Sequence, residues 1–301
     1  MEPQSIILNA STAGPHLLIT AGVHGDELEP MAAVRALGRA INPQRLRGRL
    51  TLVPCVNEPA FQRNARTADD GLDLARVCPG DATGTISHRV AAAASKLIRS
   101  ADYYIDLHTG GMLLTLYPLA GYMLHADNPI LQVQRRMAAA MGLPLVWGTS
   151  AALQGRTLSV ARDAAIPAIY AEFGGGGTFN EACVEAYVAG CVNVLIELGM
   201  YDGDRAAAPV PQRVIEDARD RAGVLQIQHP SPADGFFAPE VSLGHAVAAG
   251  QRIGSVVGPL GDPLAEIRAA ETGIVIMLRA WRHVSRGDAL VALASTDGGD
   301  L

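Results

Sequence analysis

The sequence predicts an α/β sandwich followed by a small all-β domain. Over the first 200 residues, short apolar runs alternate with longer stretches of helical periodicity. Residues 202–212 (DGDRAAAPVPQ) are small, Pro-bearing and aperiodic, as a linker would be. Beyond them the chain breaks into brief β-rich pieces separated by glycine. The expected domains are therefore 1–201 and 213–301. With 301 residues, 49% of them hydrophobic and 18% charged, the chain can bury a full core and is not disordered.

The elements follow in order. Residues 17–21 (LLITA) form an apolar run of strand length, and 27–40 continue as a helix. A second strand is expected at 50–56 and a helix at 87–100. Strands at 103–107 and 113–119 precede a helix at 129–141. The last strand of this half, 168–172, leads to a helix at 179–200. Thr178 and Glu181 stand three apart as a capping box at its start, and Gly199 falls where a C-cap belongs. In the second half, 236–237, 252–257, 273–278 and 289–293 are the β-rich pieces.

Composition excludes several classes. A net charge of −6 leaves no electrostatic footprint for nucleic acid or an anionic membrane. Of the 24 basic residues only Lys96 is lysine, and it follows Ser95 in an Ala-rich stretch, so there is no P-loop. Cys55, Cys78, Cys183 and Cys191 form no CxxC pair and suit a reducing compartment. The start Met1-Glu2-Pro3 shows no basic or long apolar leader. The charge-free runs 107–126 and 137–155 are broken by Gly and Pro, so they read as buried strands and turns rather than bilayer helices. A cytoplasmic location is expected.

The chemistry concentrates at strand ends. His24 and Glu27 form an HxxE pair in GVHGDELEP, directly after the first apolar strand. Residues three apart at a helix start share a face, so imidazole and carboxylate can converge on one ion. His108 stands where ADYYIDLHTGG passes from strand to glycine loop. Active groups of α/β folds collect at the carboxyl ends of strands. Two His and one Glu with an open fourth position is a catalytic zinc set. Asp106, two residues before His108 and on the same strand face, is the candidate carboxylate to fix the imidazole tautomer. Singly, an HxxE arises often by chance and a strand-end His is ordinarily a satisfied polar residue; their coincidence beside glycine favours metal. Asp26 and Glu29 are rival carboxylates in poorer positions.

Glu172 ends a buried strand before four glycines in AIPAIYAEFGGGG. That placement suits a raised pKa and proton transfer. Pairing with an arginine or with the following helix N-terminus is an equal reading on local evidence. The glycines do not make a dinucleotide loop, because Phe179 stands where GxGxxG needs its third glycine. Arg63, Arg66 and Arg76 lie between the two metal-ligand segments, and a guanidinium can polarise a carbonyl or clamp a carboxylate.

Together GVHGDE, NEPAFQRNAR, DGLDLARVCPG, DLHTG and AEFGGGG, in this order, resemble the succinylglutamate desuccinylase and aspartoacylase family of zinc carboxypeptidase-like hydrolases. The resemblance spans about the first 200 residues and implies a three-layer α/β/α sandwich with a mixed sheet. It implies one zinc per chain on His24, Glu27 and His108, with Glu172 as general base and acid. Arg66 matches the arginine that stabilises the oxyanion, and Arg76 the one that binds the substrate carboxylate; Asp73 and Arg63 are grouped with the substrate-binding residues. The chain departs from the family's DLNR, reading Asp-Leu-Ala-Arg, so Ala75 supplies no amide and the head group of the substrate is open.

The C-terminal part resembles a biotinyl/lipoyl-type β fold, as in that family. Its hairpin reads Glu271-Thr272-Gly273 and Lys96 is remote, so a swinging-arm role is excluded. The module is left to shape or cover the cleft or to mediate assembly, with a homo-oligomer open. The function expected is hydrolysis of the amide of a small N-acyl amino acid or related N-acyl amine by metal-activated water. A carboxypeptidase or esterase, and a non-catalytic zinc-binding relative, are the alternatives.

Overall fold

The computed structural model describes residues 2–207 and 212–296. Residues 208–211 of the expected linker and 297–301 of the expected β-rich domain lie outside the described residues. The chain opens with β1 (Ile6–Asn9) and β2 (Thr12–Ala21), then α1 (Leu28–Ala40), β3 (Arg47–Val53) and the short α2 (Glu58–Gln62). Next come α3 (Ile86–Ile98), β4 (Tyr103–His108), β5 (Leu114–Met123), α4 (Asn128–Ala140) and β6 (Leu145–Thr149). This half closes with α5 (Thr157–Asp163), β7 (Ala168–Gly175) and α6 (Glu181–Glu197), and β8 (Arg213–Glu216) follows the linker.

Strands β3, β2, β4 and β7 are parallel neighbours in that order, with β1 antiparallel outside β3 and β5 antiparallel to β7. The sheet is mixed. Its central strands are buried on both faces over their C-terminal halves, and the period-2 alternation assigns side chains to opposite layers. Leu17, Ile19 and Ala21 of β2 pack with Val34 and Leu37 of α1, Met137 of α4 and Tyr187 of α6. Leu18 faces the other way, toward Val90 and Ala94 of α3 and Leu158 of α5. Helices on both faces give the three layers.

The C-terminal strands are β9 (Gly235–Pro239), β10 (Ala246–Val247), β11 (Arg252–Val257), β12 (Pro263–Arg268), β13 (Gly273–Arg279), β14 (His283–Val284) and β15 (Val291–Ser295). Four of them form a separate sheet in the order β12-β11-β9-β14. The others continue the large sheet, because β13 pairs with β5 through Met277↔Leu116, Leu278↔Thr115 and Arg279↔Leu114. Phe237, Ile253 and Val256 pack against Val275 and Leu293 between the two layers. The second half of β5 pairs instead with β6, through Leu119↔Leu145 to Met123↔Thr149. One long strand therefore carries two different neighbours on the same edge.

Several boundaries differ from the sequence reading. The strand expected at 113–119 runs on to Met123, because its partner β6 extends it. Helix α6 starts at Glu181 with Asn180 as N-cap, whose side chain accepts from the Ala182 N–H at 3.0 Å. Thr178 lies two residues outside that cap, so its box with Glu181 does not form. Among the described residues no helix is long and apolar enough to cross a membrane.

Candidate metal centre and active site

The parallel order β2-β4-β7 sets the site. Ala21 lies beside Leu107 in register, and His108 beside Glu172, so three strand ends deliver His24, His108 and Glu172 to one place. After β2 the chain turns toward α1, with Glu27 as the N-cap residue of that helix. The turn is pressed onto α2: a Cβ on Gly25 would lie 2.1 Å from the Ala60 carbonyl carbon, so only glycine permits this approach.

His24 Nδ1 lies 2.6 Å from Glu27 Oε1, and His108 Nδ1 lies 3.0 Å from Glu27 Oε2. One carboxylate thus spans two imidazoles, and one donor atom from each of the three residues falls within 4.8 Å of the others. His24 is 4% and Glu27 1% exposed, so the donors are withdrawn from bulk water. The outer nitrogens are engaged: His24 Nε2 lies 3.1 Å from Asp73 Oδ1, and His108 Nε2 lies 3.1 Å from Asp106 Oδ2. Such carboxylate–imidazole contacts fix the tautomer and leave Nδ1 of each ring toward the shared centre. Two imidazoles and a carboxylate, with both rings oriented from behind, fit a zinc ion by donor chemistry.

The electrostatics follow from burial and crowding. Burial alone would raise Glu27, but the two imidazoles hold its carboxyl far below the ordinary range. Burial would likewise lower His108, and Asp106 with Glu27 outweighs it and raises the ring. Asp73 is held low against burial by His24 and Arg66. Glu172 behaves in the opposite way. Burial pushes it up to about 8, with Glu27 and Asp106 adding to the rise against His108 and Arg66. Its Oε2 is buried and has no hydrogen-bond partner among the described residues.

Arg66 donates from Nε and Nη2 to Asp73 Oδ2 at 3.3 and 3.0 Å, and its Nη1 lies 3.7 Å from Glu27 Oε1. Arg66, Arg76 and Ala75 line one cavity with His24, His108 and Glu172. Asp73, grouped from the sequence with the substrate-binding residues, faces His24 and Arg66. Arg63 pairs with Asp69 on the surface and does not line this cavity.

Two cavity residues escape a reading of the sequence. Arg156 lies on the wall beside Tyr170 and Thr157 and forms no ion pair among the described residues. Burial, and then the charge of Arg76, push its pKa down. What brings it there is Gly155, whose φ of +77° and contact with the Arg76 carbonyl (a Cβ would lie 2.4 Å away) lock the two turns together. The Gly155 carbonyl accepts from the Cys78 N–H at 3.0 Å in the same clasp. Gln226, from the other side of the linker, accepts from Arg76 Nη2 at 2.7 Å. Gly155-Arg156 is a turn signal at a helix start; nothing local marks Gln226.

Known proteins resemble the chain over most of its length. The succinylglutamate desuccinylase/aspartoacylase catalytic domain matches residues 13–198. The chain is 31% identical over 299 residues to the N-alpha-acetyl-L-2,4-diaminobutyric acid deacetylase of Halomonas elongata, covering 93% of this chain and 82% of that protein. A succinylglutamate desuccinylase/aspartoacylase structure from Rhodobacter sphaeroides superposes with a TM-score of 0.86 at 28% identity, covering 97% of this chain and 89% of the other. The product-bound ectoine utilization protein of Ruegeria pomeroyi gives a TM-score of 0.87 at 27% identity, covering 97% and 88%. With residues 13–198 matched by the catalytic domain and nearly its whole length by these relatives, the chain belongs to the succinylglutamate desuccinylase/aspartoacylase family.

Proposed function

We propose that the protein is a zinc-dependent deacylase that hydrolyses the amide bond of a small N-acyl amino acid or related N-acyl amine. The observation that carries this reading is the convergence of His24, Glu27 and His108 beside a half-buried Glu172 whose buried Oε2 has no partner among the described residues, at a cavity lined by arginines. Family membership supports amide hydrolysis, and the Halomonas relative points to N-acetyl-L-2,4-diaminobutyrate as a first substrate to try.

His24, Glu27 and His108 would hold the metal. Bound zinc supplies a Lewis acid and lowers the pKa of water to about 7. Glu172, ionised, accepts the proton of the attacking water and returns it to the leaving nitrogen. Arg66 donates to the oxyanion that develops on the acyl carbon; losing one such donor typically costs about 3–4 kcal/mol of barrier. Asp73 acts through others, holding His24 from behind and aiming the Arg66 fork. Asp106 does the same for His108. Arg76 and Arg156 present two charges without carboxylate partners among the described residues, which suits an anionic substrate group. Arg63 has no part in this machinery. In the same proposal residues 1–201 form the catalytic domain, and 213–301 a β-rich domain that lends the cavity a wall.

Metal analysis of His24→Ala and His108→Ala tests the centre, with loss of bound zinc expected; full occupancy in both would overturn the ligand assignment. The zinc-loaded protein is then assayed on a panel of N-acetyl, N-succinyl and N-formyl amino acids and diamines. Failure to release amine from any of them would overturn the activity.

A further inference from the structure

We propose that Gln226 is a substrate-binding residue whose side-chain N–H, beside Arg76, holds the carboxylate of the N-acyl substrate; the idea rests on the deacylase reading above. Inside the cavity Gln226 makes one side-chain hydrogen bond among the described residues. Arg76 Nη2 donates to Gln226 Oε1 at 2.7 Å. A guanidinium has only donors, so the amide oxygen must face Arg76 and the amide nitrogen must face elsewhere. No partner for that nitrogen exists among the described residues. Arg76 and Gln226 therefore place a charged donor and a neutral donor together on one wall, with Ala75 contributing only a methyl group there.

The charge balance calls for an anion. Gln226 takes one donor of Arg76 without neutralising it, and the second contact of that guanidinium, from Nη1 to the Ala75 carbonyl at 2.7 Å, is neutral as well. Arg156 lines the same cavity and repels Arg76. Asp73 acts on Arg76, and Glu172 with Asp73 on Arg156, only from beyond ion-pair distance. Two guanidinium groups in no ion pair among the described residues make a neutral substrate a poorer match than a carboxylate.

Gln226 is also held in place. It sits in the 3-10 turn Leu225–Ile227. The Ala222 carbonyl just before it accepts from the Ser150 N–H at 3.3 Å, and the Gln228 carboxamide oxygen just after it accepts from the Leu293 N–H of β15 at 2.9 Å. The arm that carries Gln226 thus bridges the end of β6 and the C-terminal strands, and its side chain reaches the cavity from a fixed support.

The test compares N-acetyl-L-2,4-diaminobutyrate with its decarboxylated counterpart, N-acetyl-1,3-diaminopropane, on the zinc-loaded enzyme. Gln226→Ala is expected to raise KM for the first by about tenfold, the loss of one good hydrogen bond, with kcat within about twofold and the second substrate unaffected. Gln226→Glu keeps the shape but pairs with Arg76 and repels the carboxylate, so its loss on the first substrate is larger still. Ala75→Asn, which plants an amide on the same wall, is expected to recover part of KM in the Gln226→Ala background. An unchanged KM in both Gln226 variants, or an equal loss on both substrates, would overturn the proposal. Calorimetric titration of the uncleaved carboxylate substrate into Glu172→Gln protein, with and without Gln226→Ala, separates the two claims. A weaker Kd on loss of Gln226 in a protein whose wild type cleaves nothing keeps this inference and removes the deacylase reading; an unchanged Kd removes the inference whatever the activity.

Discussion

Replacing Glu172 by Gln should stabilise the metal-free protein while sharply lowering the turnover of the zinc-loaded one. Burial pushes the carboxyl up to about 8, far above its ordinary 4.5. A group raised on folding contributes stability that is complete below its unfolded pKa and is lost as pH rises through the folded one. Metal-free wild type is thus expected to weaken between about pH 4.5 and pH 8 through this residue. At pH 7 the unfolded chain ionises freely, 2.5 units above 4.5, whereas the folded one stays mostly protonated. At about 1.36 kcal/mol per unit this amounts to about 3 kcal/mol. Gln cannot ionise in either state, but its amide needs partners that the site lacks, since Oε2 already has none. That returns about 1–2 kcal/mol, leaving a net gain of about 1–2 kcal/mol at pH 7. Urea unfolding of chelator-treated wild type and Glu172→Gln at pH 5 and pH 8 measures it directly; the gap should be near zero or reversed at the lower pH and widest at the higher. A gap independent of pH, or a loss at pH 8, would refute the argument. The zinc-loaded variant should keep its metal and lose about 10²–10⁴ in kcat.

Asp73→Asn removes charge from behind both His24 and Arg66, so zinc affinity measured by chelator competition should fall about 10–100-fold and kcat with it; unchanged affinity would contradict the positioning role. Asp70 accepts from Ser87 N and Oγ at 3.0 and 2.7 Å, from Thr85 Oγ1 at 2.6 Å and from Leu72 N at 3.3 Å, tying the loop that carries Asp73 and Arg76 to α3. Those bonds, against the effect of burial, hold its pKa down to about 2. Asp70→Asn should cost about 1–3 kcal/mol near neutral pH, and because a depressed carboxyl stabilises only while ionised, the difference should close as pH falls from about 4 toward 2; equal melting temperatures at pH 7 would dismiss it. Gly25→Ala drives a Cβ into the Ala60 backbone and should lower stability by about 3 kcal/mol together with zinc content, whereas full zinc at an unchanged Tm would show that the turn can yield.

The parts of the molecule legible in the sequence are those whose cause is local. Leu17, Leu18 and Ile19 announce a strand buried on both faces, and the structure buries all three completely. His24 and Glu27 share a turn, and the strand that ends in His108 is itself an apolar run, so their meeting needs only that β2 and β4 be neighbours. Gln226 is different. It reaches Arg76 across 150 positions through an arm docked on Ser150 and Leu293, and no spacing encodes that. Arg156 arrives by the clasp between Gly155 and Arg76. Asp73 could be seen as a carboxylate near Arg76, but which partner it faces is decided by how the 73–78 turn lies over His24. The N-cap of α6 is Asn180, whose side chain accepts from the Ala182 N–H, and Thr178 lies outside it.

The strand that carries two partners on one edge also constrains how the protein can be made. A ribosome releases residues 1–201 first, with every candidate metal ligand and Glu172 among them. Yet on the edge away from β7, Leu114–Leu116 of β5 pair with Met277–Arg279, more than 150 residues further along the chain. Until that stretch emerges, a nascent chain displays a bare strand edge in the middle of its main sheet, the kind of surface that recruits other chains. Over the same interval the arm that carries Gln226 lacks its support on Leu293. Loss of β13 would therefore leave that edge of β5 open to other chains, and its arrival is the step that closes the main sheet during synthesis.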